Sequence, residues 1–440
     1  MAREYKDSGI EWIGEIPKEW KTISFTNSIV RMSTGLNPRD NFELTKDDEY
    51  FYVTIKNFKD GKIYLDENCD RISKEAWEII QERSQLQKGD ILFASISKDG
   101  QAYILEDAPS NWNINESVFC IRVNPEYFYD RYFYYHIIDS EYYNDLRLDA
   151  TGTTFQSIKQ NKLRKSVLCI PNKDVQQKIA DYLDKVCGEV DELISLQERM
   201  IEDLKVYKQS VITEAVTKGL NPKAPMRDSD IDWIGEVPEH WEIIKMKRCV
   251  DSIGDVDHYM PDSVDAGIPY IMTRDLADRT SIIKKELCKQ ISNEDYAILS
   301  RKISIERNDV IFARYASIGN VCFVDTDDDM IVSYSCVVIK PSFILDGLYL
   351  FYYLKSKTFE EEVLQFVNTN IQGNVGIDSL YKTKMMVPPL KEQRAIASYL
   401  DTKCSEIDSL IALKQTKIEE LKEYKKSVIY EYVTGKKEVV

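Results

Sequence analysis

Two stretches of the chain decide the fold: residues 182–217 read YLDKVCGEVDELISLQERMIEDLKVYKQSVITEAVT, and residues 399–434 read YLDTKCSEIDSLIALKQTKIEELKEYKKSVIYEYVT. They agree at both ends and at spaced positions between, so one is a copy of the other. From Ile179 to Val211, apolar residues recur at alternating steps of four and three, interrupted at Gln197, which is the spacing of a coiled-coil seam. The sequence therefore predicts two long helices that pack on each other.

The regions in front of these helices repeat as well. The segment Trp12-Ile13-Gly14-Glu15 recurs as Trp233-Ile234-Gly235-Glu236. Residues 88–94 recur as residues 307–313, and a glycine loop follows both of these copies. The chain is thus a tandem duplication of a variable front and a near-constant helical tail. The predicted divisions are a first front domain at 1–175, a central helical region at 176–220, a linker with the second front domain at 221–391 and a C-terminal helical region at 392–440.

Both fronts combine strands and helices. Short apolar runs at residues 91–94 and 337–339 are typical of buried strands, whereas residues 132–143 and 348–359 have a helical pattern. We expect the aromatic side chains clustered in these helical segments to lie in the core rather than to stack on bases. The sequence therefore predicts an α+β fold with two tandem-repeated domains.

Composition sets the broad class of the protein. The 440 residues, with 43% hydrophobic and 30% charged side chains, favour two globular domains. The start of the chain does not resemble a signal peptide, and no apolar run approaches the roughly 18 residues of a membrane span, so a cytoplasmic location is expected. The nine cysteines include no Cys-x-x-Cys pair, which argues against a disulfide scaffold and a zinc site.

The net charge of -16 leaves two functional classes open. Duplex DNA is polyanionic, so an acidic balance taken alone favours a protein partner and a scaffolding role. Charge summed over a chain does not describe one face, however, because acidic residues can cover surfaces that dock other subunits. A nucleic-acid-binding role therefore stays open beside a protein scaffold with duplicated domains.

The motifs of catalysis are missing from the sequence. An adenine methyltransferase needs an Asn/Asp-Pro-Pro-aromatic motif, but the pair Pro388-Pro389 precedes Leu390 and is better interpreted as a stop before the helix. No phosphate-cradling Gly-x-x-x-x-Gly-Lys-Ser/Thr loop occurs. His136, His240 and His258 are isolated from Cys or acidic partners in sequence, which favours structural or surface roles. We therefore expect neither a catalytic residue nor a metal site.

The junction between front and tail is where the chain becomes recognisable. Residues 387–400 read VPPLKEQRAIASYL, which closely resembles the signature that ends target-recognition domains in the specificity subunits of type I restriction-modification systems, the HsdS family. The first copy, from Ile170 to Leu183, has a single proline and carries Val175 where the family usually has Glu. The Trp-Ile-Gly-Glu-x-Pro segments also look like the family's domain starts. The resemblance therefore spans essentially the whole chain.

This resemblance implies a non-catalytic subunit in which each front reads DNA and the two tails form an antiparallel coiled-coil spacer. Its partners would be double-stranded DNA with a bipartite target, two methyltransferase subunits and, in the restriction complex, motor-nuclease subunits. The methyl donor S-adenosylmethionine would bind the partner methyltransferase, so no cofactor is expected on this chain. A duplicated protein also fits a target with two unlike halves.

The polar loops that follow the repeated strands are the leading candidates for DNA contact. Their side chains suit base edges and phosphates, and glycine allows a close backbone approach. Ordinary turns are the alternative interpretation. The candidates in the first front are Ser95, Ser97, Lys98, Gly100 and Gln101, and those in the second front are Arg314, Tyr315, Ser317, Gly319 and Asn320.

Two further sets of polar residues complete the DNA-binding candidates. One set just precedes the domain ends, a position that approaches DNA in the family, and Asn and Gln there suit bidentate contact with adenine. Ordinary loop polarity is again the alternative. This set contains Thr151, Gly152, Thr153, Thr154 and Gln156, with Asn370, Gln372, Gly373 and Asn374 in the second front. The other set contains Thr34, Gly35, Asn37 and Arg39, opposite the more acidic segment 254–258.

Overall fold

The computed structural model describes residues 3–39, 41–59, 61–96, 101–147, 157–315, 318–366 and 374–439. The chain divides into two compact units. The first unit contains Met1–Gln197 and Thr416–Val440, and the second contains Glu198–Gln415. Each unit therefore holds one front, the beginning of the helix that follows this front and the end of the other long helix.

The first front is made of short strands and short helices. Its strands are β1 (Tyr5–Asp7), β2 (Glu15–Pro17), β3 (Lys21–Ser24), β4 (Ile29–Thr34), β5 (Tyr50–Val53), β6 (Phe58–Lys59), β7 (Lys62–Ile63), β8 (Arg71–Ile72), β9 (Ile91–Ala94), β10 (Ala102–Ile104), β11 (Trp112–Ile114), β12 (Val118–Val123) and β13 (Val167–Ile170). Its helices are α1 (Phe25–Ser28), α2 (Lys74–Ser84), α3 (Asp130–Ile137), α4 (Ser140–Arg147) and α5 (Gln160–Lys165), with a 3₁₀ turn at Ile55–Asn57.

The second front follows the long helix α6 (Lys173–Lys218) and leads into the long helix α11 (Leu390–Val433). Its strands are β14 (Met226–Asp228), β15 (Glu236–Pro238), β16 (Glu242–Lys245), β17 (Val250–Gly254), β18 (Ile268–Ile271), β19 (Lys289–Ile291), β20 (Val310–Ala313), β21 (Val321–Phe323), β22 (Ile331–Val332), β23 (Cys336–Pro341) and β24 (Lys384–Val387). Its helices are α7 (Asn293–Leu299), α8 (Gly347–Leu354), α9 (Lys357–Leu364) and α10 (Ile377–Lys382), with 3₁₀ turns at Met246–Arg248, Thr273–Asp275, Thr280–Ile282 and Lys285–Leu287.

The two fronts have corresponding sheets, which confirms the predicted α+β repeat. An antiparallel four-stranded sheet has the order β10-β9-β12-β4 in the first front and β21-β20-β23-β17 in the second. Each front also has a three-stranded sheet, with the order β11-β5-β8 in the first front and β19-β18-β22 in the second. The central strands β9 and β20 are buried along their whole length, as their unbroken apolar runs predict.

The aromatic clusters lie in the cores, as the sequence predicts. In the first unit Tyr132 and Phe133 are fully buried with Trp20 and Phe25 in one apolar cluster. In the second unit the counterparts on α8, including Tyr349 and Tyr353, pack with Trp241 and Phe312 in a matching cluster. These rings therefore stabilise each front rather than offering a surface for stacking on bases.

The helical segments predicted at residues 132–143 and 348–359 are each broken into two helices. The first break comes before Asp139, whose Oδ1 accepts hydrogen bonds from the backbone amides of Glu141 (3.0 Å) and Tyr142 (3.1 Å) and so caps α4. The second comes before Ser356, which accepts from the amide of Phe359 at 3.2 Å and caps α9. A side chain that bonds to the next amides starts a new helix, and this local competition interrupts the apolar period.

In the first unit, the start of α6 runs antiparallel to the end of α11. The rings of Tyr182 and Tyr432 have centroids 4.5 Å apart, and nine residues farther along α6 the carboxylate of Asp191 lies 2.7 Å from Lys425 Nζ. Because the contact advances along one helix while it moves back along the other, the two helices run in opposite directions here.

The second unit repeats this arrangement with the roles of the helices exchanged. Met200 Sδ lies 3.4 Å from Lys414 Nζ, and Lys208 Nζ lies 2.7 Å from Asp408. The Lys208–Asp408 pair occupies the positions in the repeat that correspond to Lys425 and Asp191 in the first unit. The duplication thus gives each unit the same antiparallel helical pair.

The predicted seam is buried over only part of the helices. Ile179, Leu183 and Val190 are buried on α6, whereas Leu193 and Met200 are 46% and 38% exposed. A straight helix has 3.6 residues per turn, so a stripe written at steps of 3.5 turns away from its partner after a few turns. The seam prediction is therefore wrong toward the middle of the helix.

Candidate nucleic-acid interface

The first sheet gathers polar segments at one of its ends. Strands β4 and β9 end at Thr34 and Ala94, and strands β10 and β12 begin at Ala102 and Val118. Because these neighbours are antiparallel, all four chain ends lie on the same side of the sheet, which we call the first loop edge. The candidate residues around Thr34 and those that follow Ala94 therefore meet at this edge.

A backbone hydrogen bond at this edge joins Ser95 to a residue close to another predicted segment. The amide of Ile158, which follows the segment 151–156, donates to the carbonyl of Ser95 at 2.8 Å. The amide and hydroxyl of Ser95 in turn donate to the carbonyl of Ser117 at 2.9 and 2.7 Å. Ser95 is buried, so its side chain fixes the end of β9 rather than presenting a hydroxyl to a ligand.

The third predicted segment passes close to the same strand ends. The amide of Gly35 donates to the carbonyl of Asn115 at 3.1 Å, and a Cβ on Gly35 would lie 1.7 Å from the carbonyl oxygen of Ile114. Only glycine fits here, because any side chain would overlap the backbone. Beyond it, Asn37 is half-buried and Arg39 is exposed, so these two residues present the polar groups of this segment.

The second sheet forms an equivalent second loop edge. Strands β17 and β20 end at Gly254 and Ala313, and strands β21 and β23 begin at Val321 and Cys336. The amide of Val375 donates to the carbonyl of Arg314 at 3.1 Å, as Ile158 does to Ser95 in the first unit. Tyr315 also pairs with Asn374 in an isolated antiparallel bridge, so the same two predicted segments meet.

Arg314 lies inside the second loop edge. Its Nη2 is 2.6 Å from Asp255 Oδ2, its guanidinium lies over the ring of Tyr315 at 4.7 Å, and its side chain is 9% exposed. Asp255 also accepts from Lys302, and hydrogen bonds to Asp255 and Asp257 raise the pKa of that lysine. The buried ion pair braces the loop, so an alanine at position 314 would report on folding as much as on binding.

The other predicted residues differ in their exposure and hydrogen bonding. Gly319 turns the β20–β21 connection with a φ of +94° and is exposed together with Asn320. Gln101 is half-buried, and the hydroxyl of Thr34 donates to the carbonyl of Gly35 at 3.1 Å. Predicted residues that lie outside the described part of the chain are Ser97, Lys98, Gly100, Thr151, Gly152, Thr153, Thr154, Gln156, Ser317, Asn370, Gln372 and Gly373.

A pair of buried glutamines was missed by the sequence reasoning. Gln176 Oε1 accepts from the amide of Tyr129 at 2.8 Å, and its Nε2 donates to the carbonyls of Tyr127 (2.9 Å) and Pro171 (3.0 Å). Gln393 makes the equivalent three bonds, to the amide of Asp346 and the carbonyls of Ile344 and Pro388. The signal was present in the sequence, because both copies of the front–tail junction place Gln five residues after Pro.

A repeated carboxylate also ties each front to its helix. Asp184 accepts from the hydroxyl of Tyr135 at 2.6 Å and pairs with Arg131, which comes from α3. Asp401, at the same place in the repeat, accepts from Tyr352 at 3.0 Å, but its arginine partner is Arg279 from a different part of the front. The ion pair is thus kept although the chain segment that supplies the arginine has changed.

The histidines have structural surroundings. His136 is buried, its Nε2 accepts from the amide of Cys169 at 3.3 Å, and burial lowers its pKa to about 4. His258 stacks on Tyr334 with centroids 4.6 Å apart. Across the described ranges, no three His, Cys, Asp or Glu side chains come together in a way that could hold a metal ion. Nor is any helix in these ranges both long and apolar enough to cross a membrane.

Two repeated α+β units, each with polar segments gathered at one sheet end and each joined to a long helix, define a duplicated recognition protein. The family model described as the type I restriction modification DNA specificity domain matches residues 17–204 and again residues 241–423, and the chain belongs to this family. The resemblance drawn from residues 387–400 is thereby confirmed.

Related proteins and solved structures are similar to this chain along nearly its whole length. The chain is 24% identical to the putative type I restriction enzyme MjaX specificity subunit of Methanocaldococcus jannaschii, over 96% of this chain and 95% of the relative. It is 22% identical to the MjaVIII specificity subunit of the same organism, over 96% and 93%.

A chain solved in work on complex assembly and conformational transition of the type I R-M system has a TM-score of 0.67 at 16% identity, covering 95% of this chain and 98% of that one. The HsdS subunit from Thermoanaerobacter tengcongensis has a TM-score of 0.51 at 17% identity, covering 96% and 98%. At these identities the two structures support the fold.

Proposed function

We propose that each unit reads one half of a bipartite duplex DNA target with its own loop edge. The observation that carries this proposal is the same gathering of polar segments at corresponding ends of both sheets, joined by the Ile158–Ser95 and Val375–Arg314 hydrogen bonds. Each unit has a complete set of these segments, so two unlike half-sites follow from two unlike sets of loops. The side chains that contact bases are proposed from the sets named above.

The chain itself is proposed to be non-catalytic and to position two methyltransferase subunits over adenines in the target. Motor-nuclease subunits would join the same assembly for restriction. S-adenosylmethionine would bind the methyltransferase partners and not this chain. The absence of an Asn/Asp-Pro-Pro-aromatic motif from the sequence supports this division of labour.

A domain exchange tests the proposal. Residues 228–390 would be replaced by the second front of another specificity subunit, and methylated adenines would be mapped in DNA from cells that express the hybrid with its methyltransferase. One half of the methylated sequence is expected to change, because the first loop edge is untouched. The matched control exchanges residues 1–175 and is expected to change the other half.

Two results would contradict the proposal. A change of both half-sites in either hybrid would mean that the fronts read DNA jointly. A wild-type complex with no sequence-selective methylation or binding would instead favour the protein scaffold, the function class that the net charge of -16 favours when taken alone.

A further inference from the structure

The first unit carries a concentrated group of basic side chains that begins next to its loop edge, at Lys159, and continues to the far end of α5. The segment from Lys159 to Lys165 contains four basic residues and no acidic one, although the whole chain has a net charge of -16. Lys159, Arg164 and Lys165 are exposed, and in the part of the chain that the structure describes none of the three has a carboxylate within ion-pair distance. Lys159, Lys162 and Lys165 also line a surface hollow of about 370 Å³, whose wall includes Asp145. We call the four basic residues the first basic patch.

The second unit has a basic group of its own, the second basic patch. Lys245, at the end of β16, leads into a 3₁₀ turn that carries Lys247 and Arg248, and Lys382 and Lys384 lie at the end of α10 and the start of β24. All five side chains are exposed. Among the described residues, no carboxylate lies within ion-pair distance of any of the five side-chain cations, and Glu362 accepts from the backbone amide of Lys384 at 3.1 Å.

The two patches occupy corresponding places although different chain segments supply the charges. In the first unit, α1 adjoins the end of α5 through a bond of 2.9 Å from the amide of Phe25 to the carbonyl of Ser166. In the second unit, the amide of Met246 makes the matching bond of 2.8 Å to the carbonyl of Thr383. The first patch lies on α5 and its N-cap Lys159, and α1 has no charged residue. Most of the second patch lies instead on the 3₁₀ turn and its neighbouring strands.

The second patch contains a pairing that is unfavourable in the free protein. Lys245 and Lys384 are direct partners across the antiparallel pair β16–β24, so both side chains point to the same face. Like charges directly opposite each other destabilise a sheet unless a counter-charge lies between them. A polyanion bound at this place would turn the repulsion into a favourable contact.

We propose that the two basic patches are matched phosphate-binding surfaces that hold the DNA backbone beside the two half-sites. This inference rests on the proposed function, because it assigns a second set of contacts to the same bound duplex. Phosphate contacts supply affinity and fix the register of a protein on DNA, while base contacts supply the sequence preference. The patches would therefore determine how tightly the complex binds and leave the recognised sequence unchanged.

The position of the patches favours DNA over an acidic protein partner. Lys159 directly follows Ile158, whose amide bonds to Ser95 at the first loop edge. In the second unit, α10 begins two residues after Val375, which bonds to Arg314 in the same way. Its six residues span roughly 9 Å and end at Lys382. The major groove is about 12 Å wide, so a loop that reads bases in the groove brings the patch close to the phosphates that border it.

The test uses the complex with its methyltransferase and compares three variants that each lose two positive charges. Arg164→Gln with Lys165→Gln removes charge from the first patch, and Lys245→Gln with Lys384→Gln removes it from the second. The control, Lys88→Gln with Arg307→Gln, changes exposed residues that precede β9 and β20 and belong to neither patch. Binding to a duplex with the mapped target is measured over a series of salt concentrations.

Each patch variant is expected to bind about 10- to 30-fold more weakly near 0.15 M salt and to reduce the slope of log K against log salt by about 2, since each phosphate contact contributes about 0.9. The control should keep the wild-type slope, and the methylated sequence should be the same in all proteins. The variants Lys165→Arg and Lys245→Arg with Lys384→Arg, which keep the charge, should show the wild-type slope.

Other outcomes would overturn the inference. If the patch variants bind like the control while the wild type still recognises its target, the patches do not contact DNA and the proposed function stands. If they fail to assemble with the methyltransferase whereas the control and the Arg variants assemble, the patches dock protein. A wild-type complex without target recognition would contradict the proposed function itself.

Discussion

Asp139 is a single residue on which the folding of the first unit depends in a pH-sensitive way. Its side chain is buried, one carboxylate oxygen caps α4, and the other, Oδ2, has no hydrogen-bond partner. Burial raises its pKa to about 7 from the ordinary value of 3.8. A carboxyl whose pKa is raised on folding is favoured in its protonated form, so the folded state loses stability as the pH rises from about 4 to about 7.

The second unit suggests the substitution that removes this effect, because Ser356 caps α9 at the equivalent position without a charge. We expect Asp139→Ser to stabilise the first unit relative to wild type by an amount that grows between pH 4 and pH 7 and then levels off, reaching about 2–3 kcal/mol. Denaturant unfolding at a series of pH values measures it. Burial lowers the pKa of His136 to about 4, so this residue makes the stability of both proteins rise with pH. The quantity to compare is therefore the difference between their free energies of unfolding. A difference that does not change with pH would contradict the expectation.

At this scale the sequence predicted which residues are polar and near strand ends, but not which of them are already paired. Arg314 is a good DNA-binding candidate by residue type, yet it is paired with Asp255, which lies 59 residues earlier. Such a contact follows from the register of the strands β17, β23 and β20 and not from any local pattern. Position 35 has to be glycine because the backbone of Ile114 leaves no room for a side chain, and this contact is not visible in the sequence.

At the scale of elements, each long helix is fixed to its front by one buried glutamine. Gln176 and Gln393 are completely buried and each satisfies a backbone amide and two carbonyls where the chain enters the helix. Removing such a side chain leaves buried backbone groups without partners, which costs about 1–3 kcal/mol for each group that water cannot reach.

We therefore expect Gln176→Ala to lower the free energy of unfolding of the first unit by about 2–4 kcal/mol, and Gln393→Ala to do the same in the second. Gln177→Ala is the matched control, because Gln177 is the next residue of the same helix and is exposed. Its effect should stay within about 0.5 kcal/mol. Equal stabilities of the Gln176 and Gln177 variants would show that these hydrogen bonds do not hold the helix to the front.

The extent of the long helices was predictable because their apolar period is sustained, and the predicted tails agree with α6 and α11 to within a few residues. The short helices were harder, since the cap formed by Asp139 depends on one side chain and not on the period. The correspondence between the two basic patches could not be predicted at all. Lys245 and Lys384 are 139 positions apart in the chain and meet only through the pairing of β16 with β24.

At the scale of the whole molecule, the two long helices are copies of one sequence, so both can be lengthened at matched positions. Leu196 and Leu413 are matched positions in α6 and α11. Each lies between the two interhelical ion pairs, Asp191–Lys425 in the first unit and Lys208–Asp408 in the second. Residues added after both leucines therefore leave both ion pairs unchanged, although they move Lys414 away from Met200.

We expect four extra residues after Leu196 together with four after Leu413 to lengthen each helix by about 6 Å, since an α-helix rises about 1.5 Å per residue. If the helices set the distance between the half-sites, as the family resemblance implies, the unread gap should widen by roughly one to two base pairs of about 3.4 Å each. Methylation mapping measures the gap, and the half-site sequences should stay the same because neither loop edge is altered. Adding the four residues after Leu196 alone is the control: it shifts α6 against α11 by one turn, so the two ion pairs cannot both form and the complex should lose activity. An active double variant with an unchanged gap would show that the helices do not set the spacing of the target.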